Sequence, residues 1–182
     1  MQTTCTHTNS SEAMATKRLV LSPLTASQSG ALYDVISTSA AAQWGHHQPL
    51  PFIRNDAEKC ALASEAGLSA SGTSAFLACT RDDRPMTAGA IALYAANARA
   101  TIADMDYWVA GNHHGYGYAG EMLAAIVSYA FDVRSVLRLR MAIHPDNIAA
   151  QYVLNRQGFS RIGVRRNNRV VYALDNARLI AQ

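Results

Sequence analysis

The sequence predicts an α+β domain built around a single mixed, mostly antiparallel sheet that is flanked by helices. Three strand-like segments follow one another between residues 73 and 110, separated only by the turn signals "DDRP" and "ANAR". Consecutive strands joined by short turns pair antiparallel. A glycine-rich stretch then opens the most regular amphipathic helix of the chain. The whole order, β-α-α-β-β-β-α-β-α-β-β, shows no repeated βαβ unit and is typical of α+β proteins.

The size and composition of the chain fit one domain. With 182 residues, 49% apolar and 16% charged, it can bury a core of ordinary size. Residues 1–15 are polar and lack the charged and apolar regions of a secretory signal, so we expect a disordered leader followed by one domain over residues 16–182. No apolar run approaches the roughly 18 residues of a membrane helix, and we expect a cytoplasmic protein without a membrane partner.

The first half of the chain predicts a strand at residues 18–24 and two helices at residues 25–37 and 56–68. The three strands of the meander follow at residues 73–81, 86–95 and 100–110. Alternation of apolar and polar residues marks the first strand, and Thr25 is a suitable N-cap for the first helix. Gly67 ends the second helix. Between the helices, residues 42–56 form a long loop rich in glycine, proline and aromatic residues, and loops of this length are typically functional.

The second half begins with a helix whose apolar residues recur at helical spacing: Ala119, Met122, Leu123, Ile126, Val127, Ala130 and Phe131. Residues 136–144 alternate strictly and predict a strand. A helix follows from about residue 147 to 157 with Gly158 as its C-cap. The last two strands, residues 159–166 and 169–175, are joined by Asn167 and Asn168.

The stretch "HHGYGYAG" at residues 113–120 indicates a phosphate site. Gly115, Gly117 and Gly120 spell G-x-G-x-x-G, and glycines let backbone N–H groups close on phosphate oxygens. A dinucleotide-binding domain would place them after the first strand of repeated βαβ units, with an acid about 20 residues later. Neither condition holds, and no Gly-Lys-Ser/Thr follows. The turn could instead hold another pyrophosphate, such as that of coenzyme A.

Four segments in order resemble the GNAT N-acetyltransferase superfamily and, within it, the RimJ/RimL-like branch. They are "TKRLVLSPLT", "DYWVAG", "HGYGYAGEMLAAIVSYAF" and "HPDNIAAQYVLNRQGFSRIGVRR", and they cover roughly residues 16–175. The resemblance implies the GNAT fold, acetyl-CoA as cosubstrate, and transfer of its acetyl group to a primary amine by direct attack. His114 stands where the family has glutamine or arginine.

The resemblance also implies which residues hold the ligands. The expected cofactor-binding residues are Trp108, Val109, His114, Gly115, Tyr116, Gly117, Tyr118, Ala119 and Asn147. The expected rim of the acceptor site is formed by Trp44, His46, His47 and Phe52, from the long loop, together with Asp106, which replaces the usual glycine. The histidine pairs do not predict a metal site, because adjacent side chains of an extended chain point to opposite sides and neither pair has a third ligand nearby.

The catalytic candidates are Asp104, Asn147 and Tyr152. Asp104 stands where many family members carry a glutamate and is the expected base, acting through a water. Period-two alternation places Asp104, Asp106 and Trp108 on one face of the strand, unless a bulge shifts the register. The acid for the leaving thiolate is open: the branch has a serine where this chain has Ala150, and other members have a tyrosine where it has Leu154.

Several functions stay open at this point. The acceptor is expected to be a protein N-terminal α-amine, with a polyamine or aminoglycoside as the alternative. The oligomeric state is left open, and a homodimer is one possibility. A non-catalytic acyl-CoA-binding sensor is the rival from another class. Residues 134–182 hold nine arginines against two acidic residues, but no basic and aromatic interleaving accompanies them, so we expect no nucleic-acid partner.

Overall fold

The computed structural model describes residues 12–39, 52–67, 72–165 and 167–177. Within these residues eight strands form one sheet: β1 (Met14–Ala15), β2 (Leu19–Pro23), β3 (Thr73–Thr80), β4 (Thr87–Ala95), β5 (Ile102–Val109), β6 (Arg138–Ile143), β7 (Ser160–Val164) and β8 (Val170–Asp175). Their order across the sheet is β1-β2-β3-β4-β5-β6-β8-β7. Among the described strands, β5 and β6 make the only parallel pair. The predicted mixed, mostly antiparallel sheet is confirmed.

The described helices flank this sheet on both faces: α1 (Ser29–Thr38), α2 (Arg54–Ala66), α3 (Tyr118–Ser128) and α4 (Ile148–Arg156). None of the helices in these ranges has the length and apolar character required to cross a bilayer. Helices α3 and α4 cover one face, where their apolar side chains form a core with β2–β6 and β8. Helices α1 and α2 cover the other face over β3–β5 and form a second, smaller core. We call these the α3 side and the α1 side of the sheet.

Glycine at position 89 sets how closely α3 approaches the sheet. A Cβ on Gly89 would lie 2.5 Å from the backbone oxygen of Trp108 and 2.9 Å from Cε of Met122. Real Cβ atoms do not approach backbone oxygens this closely, so only glycine allows the observed packing. This contact lies where the β4–β5 ladder ends, at Gly89 and Val109, and α3 is therefore seated directly against the end of β5.

Two elements differ from the sequence-based prediction. Met14 and Ala15, which the sequence predicts to be part of the leader, pair with Leu21 and Val20 as an edge strand. Two residues are too few to show a period-two pattern, so the sequence gives no strand signal there. The helix that was predicted to run to Phe131 ends as an α-helix at Ser128 and continues as a single π-helical turn, Tyr129–Val133. Residues 1–11 lie outside the described part of the chain.

Strands β5 and β6 pair only at their beginning. The parallel ladder joins Ile102–Asp104 to Arg138–Arg140 and then stops, while β5 stays in register with β4 as far as Val109. It is therefore β6 that diverges. Because hydrogen bonding alternates from one side of a strand to the other, and Ala110 donates to Ala88 of β4, the backbone of Val109 faces the side that β6 has left. This opening between β5 and β6 positions the site described next.

Candidate active site

A pocket of about 530 Å³ occupies the opening between β5 and β6. It extends from the second halves of these two strands to the N-terminal ends of α3 and α4. Ten of the residues that the sequence nominated line it: Asp106, Trp108, Val109, His114, Gly115, Gly117, Tyr118, Ala119, Asn147 and Tyr152. Asp106 and Trp108 belong to the α1 side, whereas Tyr118 and Ala119 come from α3. The pocket thus passes through the sheet from one face to the other.

The glycine-rich turn brings free backbone amides to one end of the pocket. Gly115 and Gly117 have φ angles of +82° and +80°, a region that costs an L-residue about 1–2 kcal/mol. Gly117 is the N-cap of α3, so the turn leads straight into the helix. The first amides of a helix have no partner within it, and the helix dipole places partial positive charge at this end. A pyrophosphate fits such a site, and a Cβ on either glycine would force the turn into strain.

The two histidines of the turn have different surroundings. His114 is exposed, and its Nε2 lies 3.0 Å from the carbonyl oxygen of Val109, a contact that ties the turn to the end of β5. Burial lowers the pKa of His113, although the charge of Asp82 opposes the shift. His113 Nδ1 is buried without a hydrogen-bond partner among the described residues. Within those residues, no three His, Cys, Asp or Glu side chains are grouped closely enough to hold a metal ion.

The two aspartates of β5 separate into different environments. Asp106 is buried and is the only carboxylate among the described residues that line the pocket. Asp104 does not line it: Oδ1 accepts a hydrogen bond from Arg140 Nε at 2.7 Å, and Oδ2 accepts one from Arg165 Nη2 at 3.0 Å. The β4–β5 register has no bulge, so both side chains lie on the same face, as alternation predicted, and this face is the α1 side. The expected base is therefore held in ion pairs outside the pocket.

The N-terminal half of α4 supplies two polar side chains. Asn147 caps the helix, with Oδ1 accepting the backbone N–H of Ala150 at 3.1 Å, and its amide nitrogen is left for the pocket. Tyr152 is 60% exposed, and its hydroxyl oxygen accepts a hydrogen bond from Arg156 Nη1 at 3.2 Å. The phenolic proton of Tyr152 can therefore be donated elsewhere. Ala150 and Leu154 are buried in the α3-side core.

Some of the nominated residues are not brought to the pocket. Phe52 is buried in the α1-side core, stacked on Tyr33 with ring centroids 6.5 Å apart, so its assignment to the acceptor rim is corrected to a packing role. The ring of Tyr116 is exposed and stacks on Tyr118, without lining the pocket. The other loop residues, Trp44, His46 and His47, lie outside the described residues.

Sequence reasoning missed the far wall of the pocket. The second half of β6 contributes Met141, Ala142 and Ile143, and β5 adds Tyr107, whose pKa is raised above its usual range by burial. The alternating pattern of β6 identified a strand but not its divergence from β5. Arg18 was missed as well: it reaches the glycine-rich turn from the start of β2.

Comparison with known proteins agrees with this geometry. The family model of the acetyltransferase (GNAT) domain matches residues 18–160. An uncharacterized N-acetyltransferase of Bacillus subtilis, YoaA, is 29% identical over 86 residues, which are 47% of this chain and 49% of that protein. The match thus spans about half the length of this curated relative.

Among solved structures, RimL, a ribosomal L7/L12 α-N-protein acetyltransferase solved with coenzyme A, superimposes with a TM-score of 0.77 at 19% identity. The match covers 90% of this chain and 98% of RimL. The ribosomal-protein-S5-alanine acetyltransferase of Vibrio fischeri superimposes with a TM-score of 0.76 at 12% identity, over 91% of this chain and 97% of that protein. These likenesses show the fold. Since the family model spans most of the sequence, the chain belongs to the GNAT acetyltransferase family, whose members take the acetyl group from acetyl-CoA.

Proposed function

We propose that this chain transfers the acetyl group of acetyl-CoA to a primary amine by direct attack, and that the amine is the N-terminal α-amine of a protein. The observation that carries the proposal is the pocket through the sheet, which has an anion site at one end and a carboxylate, Asp106, in its wall. Donor and acceptor can enter such a pocket from opposite faces and meet in the opening between β5 and β6. A cytoplasmic location remains part of the proposal.

The residues around the turn fit the phosphate end of coenzyme A. The amides of residues 115–119 and the N-terminus of α3 would hold the pyrophosphate. His113 Nδ1, buried and without a described partner, is a further polar atom that a ligand would satisfy. Coenzyme A would then extend its pantetheine arm into the opening, where Asn147 and the side of β5 that β6 has left provide hydrogen-bonding groups.

The end of β5 fits the reacting carbonyl. The amide of Val109 faces the side from which β6 has diverged, and a backbone N–H at this point can stabilise the negative charge that develops on the acetyl oxygen. Because the amide belongs to a strand that is paired with β4 from Ala103 to Val109, it is fixed before the substrate arrives. Such preorganisation is what makes an oxyanion donor effective.

Asp106 and Tyr152 fit the two proton transfers. We assign Asp106, in place of Asp104, to orient the incoming amine and to take its proton through a water. The amine nitrogen forms a bond to the acetyl carbon, the carbon–sulfur bond breaks, and the sulfur leaves as a thiolate. Tyr152 donates its phenolic proton to that sulfur and is reprotonated from solvent. Ala150 and Leu154 carry no proton to give.

The acceptor class rests on chemistry and on the relatives. A protein α-amine has a pKa near 8 against about 10.4 for lysine, so a larger share of it is neutral at physiological pH and one carboxylate suffices to assist it. RimL and the Vibrio fischeri protein are described as acetyltransferases of ribosomal proteins. Both considerations favour a protein N-terminus over a polyamine or an aminoglycoside.

The test is release of free thiol from acetyl-CoA in the presence of N-terminal peptides, polyamines and aminoglycosides, with coenzyme A binding measured by calorimetry. We expect turnover with the peptides, and a loss of turnover in Asp106→Asn with coenzyme A affinity kept. Turnover with polyamines or aminoglycosides but not with peptides would show that the acceptor is a small amine and not a protein N-terminus. Tight coenzyme A binding without turnover on any amine would favour the sensor over the enzyme.

A further inference from the structure

Arg18 joins the start of β2 to the glycine-rich turn. Its Nη1 donates to the carbonyl oxygen of Tyr116 at 2.7 Å, and its guanidinium carbon lies 4.8 Å from the centre of the Tyr118 ring. A Cβ built on Gly117 would lie 3.5 Å from its Nη2. The guanidinium therefore lies directly behind the turn, without being part of the pocket lining.

The same guanidinium pairs with a carboxylate in the first turn of α3. Glu121 Oε2 accepts from Arg18 Nε at 2.8 Å, and Nη2 lies 2.8 Å from the same oxygen. Oε1 accepts from the Arg18 backbone N–H at 2.7 Å and from Thr16 Oγ1 at 2.5 Å. Burial alone would raise the pKa of Glu121, but these hydrogen bonds and the Arg18 charge outweigh it, and the pKa is lowered. Glu121 is therefore ionised at neutral pH.

An ionised carboxylate one turn from the helix N-terminus opposes an anion at that terminus. Both negative groups are attracted by the same partial positive charge, and they repel each other. The sequence around the turn offers no compensation, because residues 110–133 contain neither lysine nor arginine. A cation brought from a distant strand is the compensation that the structure provides.

We propose that Arg18 is a positioning residue for coenzyme A: it neutralises Glu121 and holds the glycine-rich turn open for the pyrophosphate. This inference rests on the proposed function, since it concerns the same cofactor site. It assigns the charge that the turn itself lacks to an arginine nearly 100 residues earlier in the chain. Arg18 acts through Glu121 and Tyr116 rather than on the reacting atoms.

The experiment compares Arg18→Ala, Glu121→Gln and the double variant, with coenzyme A as the calorimetric ligand. Arg18→Ala leaves Glu121 without its counter-charge, and we expect the Kd for coenzyme A and the KM for acetyl-CoA to rise about tenfold, with kcat at saturation little changed. Adding Glu121→Gln to Arg18→Ala removes the unpaired charge and should recover the part of the affinity that this charge costs, while the part due to the lost Tyr116 contact stays lost. The turnover of S-acetylpantetheine, which lacks the pyrophosphate, should not respond to Arg18→Ala.

Arg138→Ala is the matched control. Arg138 is equally exposed, at 44% against 43% for Arg18, and is likewise paired with one carboxylate, Asp175. Its loss should leave coenzyme A binding unchanged. If Arg18→Ala fails to fold, Arg18→Lys is the variant that tests the inference. Because lysine keeps the charge, its Kd for coenzyme A should be within about threefold of that of the original chain.

Three results would overturn the inference: equal affinity in Arg18→Ala and the original chain, no recovery in the double variant, or equal losses in Arg18→Lys and Arg18→Ala. Each is distinct from failure of the proposed function, in which the unaltered chain itself either binds no coenzyme A or binds it without acetylating any amine.

Discussion

Alanine at position 117 should weaken coenzyme A binding about 10- to 100-fold while destabilising the protein only modestly. Gly117 holds φ at +80° as the N-cap of α3, and its added Cβ would meet Arg18 at an ordinary 3.5 Å. Steric overlap is therefore not the main effect. The main effect is the strain of the left-handed backbone conformation, which costs an L-residue about 1–2 kcal/mol.

That strain acts where the phosphate is expected to bind. If the turn relaxes toward negative φ to relieve it, the amides at the start of α3 change direction and a hydrogen bond to a charged oxygen is lost. A hydrogen bond to a charged group is worth about 1.5–3 kcal/mol, which corresponds to roughly 10- to 100-fold in Kd.

Gly67→Ala separates strain from binding. Gly67 ends α2 with φ at +78° and ψ at 162°, a backbone region that is almost exclusive to glycine, and an added Cβ meets no heavy atom of the described residues within 4 Å. Both variants should lower the Tm, Gly117→Ala by about 2–8 °C for a chain of this size and Gly67→Ala by at least as much, while only Gly117→Ala should weaken the binding of coenzyme A in calorimetry. The reasoning is refuted if the two variants bind coenzyme A within twofold of each other.

Four further changes test the fold and the site. Gly89→Ala should destabilise the protein by about 1–3 kcal/mol or more in chemical denaturation, because its Cβ meets the Trp108 carbonyl and a backbone group cannot rotate away; unaltered stability would contradict this. Asp104→Asn should cost about 1.5–3 kcal/mol by weakening two ion pairs, with the pH profile of kcat unchanged, and a shifted profile would return this residue to the mechanism. Tyr152→Phe should lower kcat about 100-fold with coenzyme A affinity kept, and full activity would exclude it as the acid. The lowered pKa of Glu121 stabilises the fold above its unfolded value near 4.5, and this contribution is lost as the pH falls through the lower folded value; Glu121→Gln should therefore flatten the acid-induced fall in Tm, and an equally steep fall would contradict this.

Local chemistry explains what the sequence predicted well. The meander, the amphipathic α3 and the glycine-rich turn each follow from neighbouring residues: alternation, helical spacing and the need for positive φ at Gly115 and Gly117. The alternation of β5 also placed Asp104 and Asp106 on a common face, because the β4–β5 register has no bulge.

Non-local contacts explain what the sequence-based prediction missed. Nothing near Asp104 in the sequence indicates that Arg140 and Arg165 converge on it, so its ion-paired role was invisible. The aromatic Phe52 suits a binding rim and a core equally well by type, and only the packing of α1 and α2 decides for the core. The divergence of β6 has no local signature either, since a strand's own residues do not record where its neighbour leaves it.

The opening between β5 and β6 has a consequence for the kinetics of the proposed reaction. Because the pocket reaches both faces of the sheet, the two substrates need not displace each other, and both can be held at once. Initial rates that vary both substrates should then give intersecting double-reciprocal lines rather than the parallel lines of a ping-pong enzyme. Free coenzyme A should compete with acetyl-CoA and leave the amine site accessible. A sheet without this opening would leave one site for both substrates to occupy in succession, whereas the opening allows a ternary complex of chain, acetyl-CoA and amine.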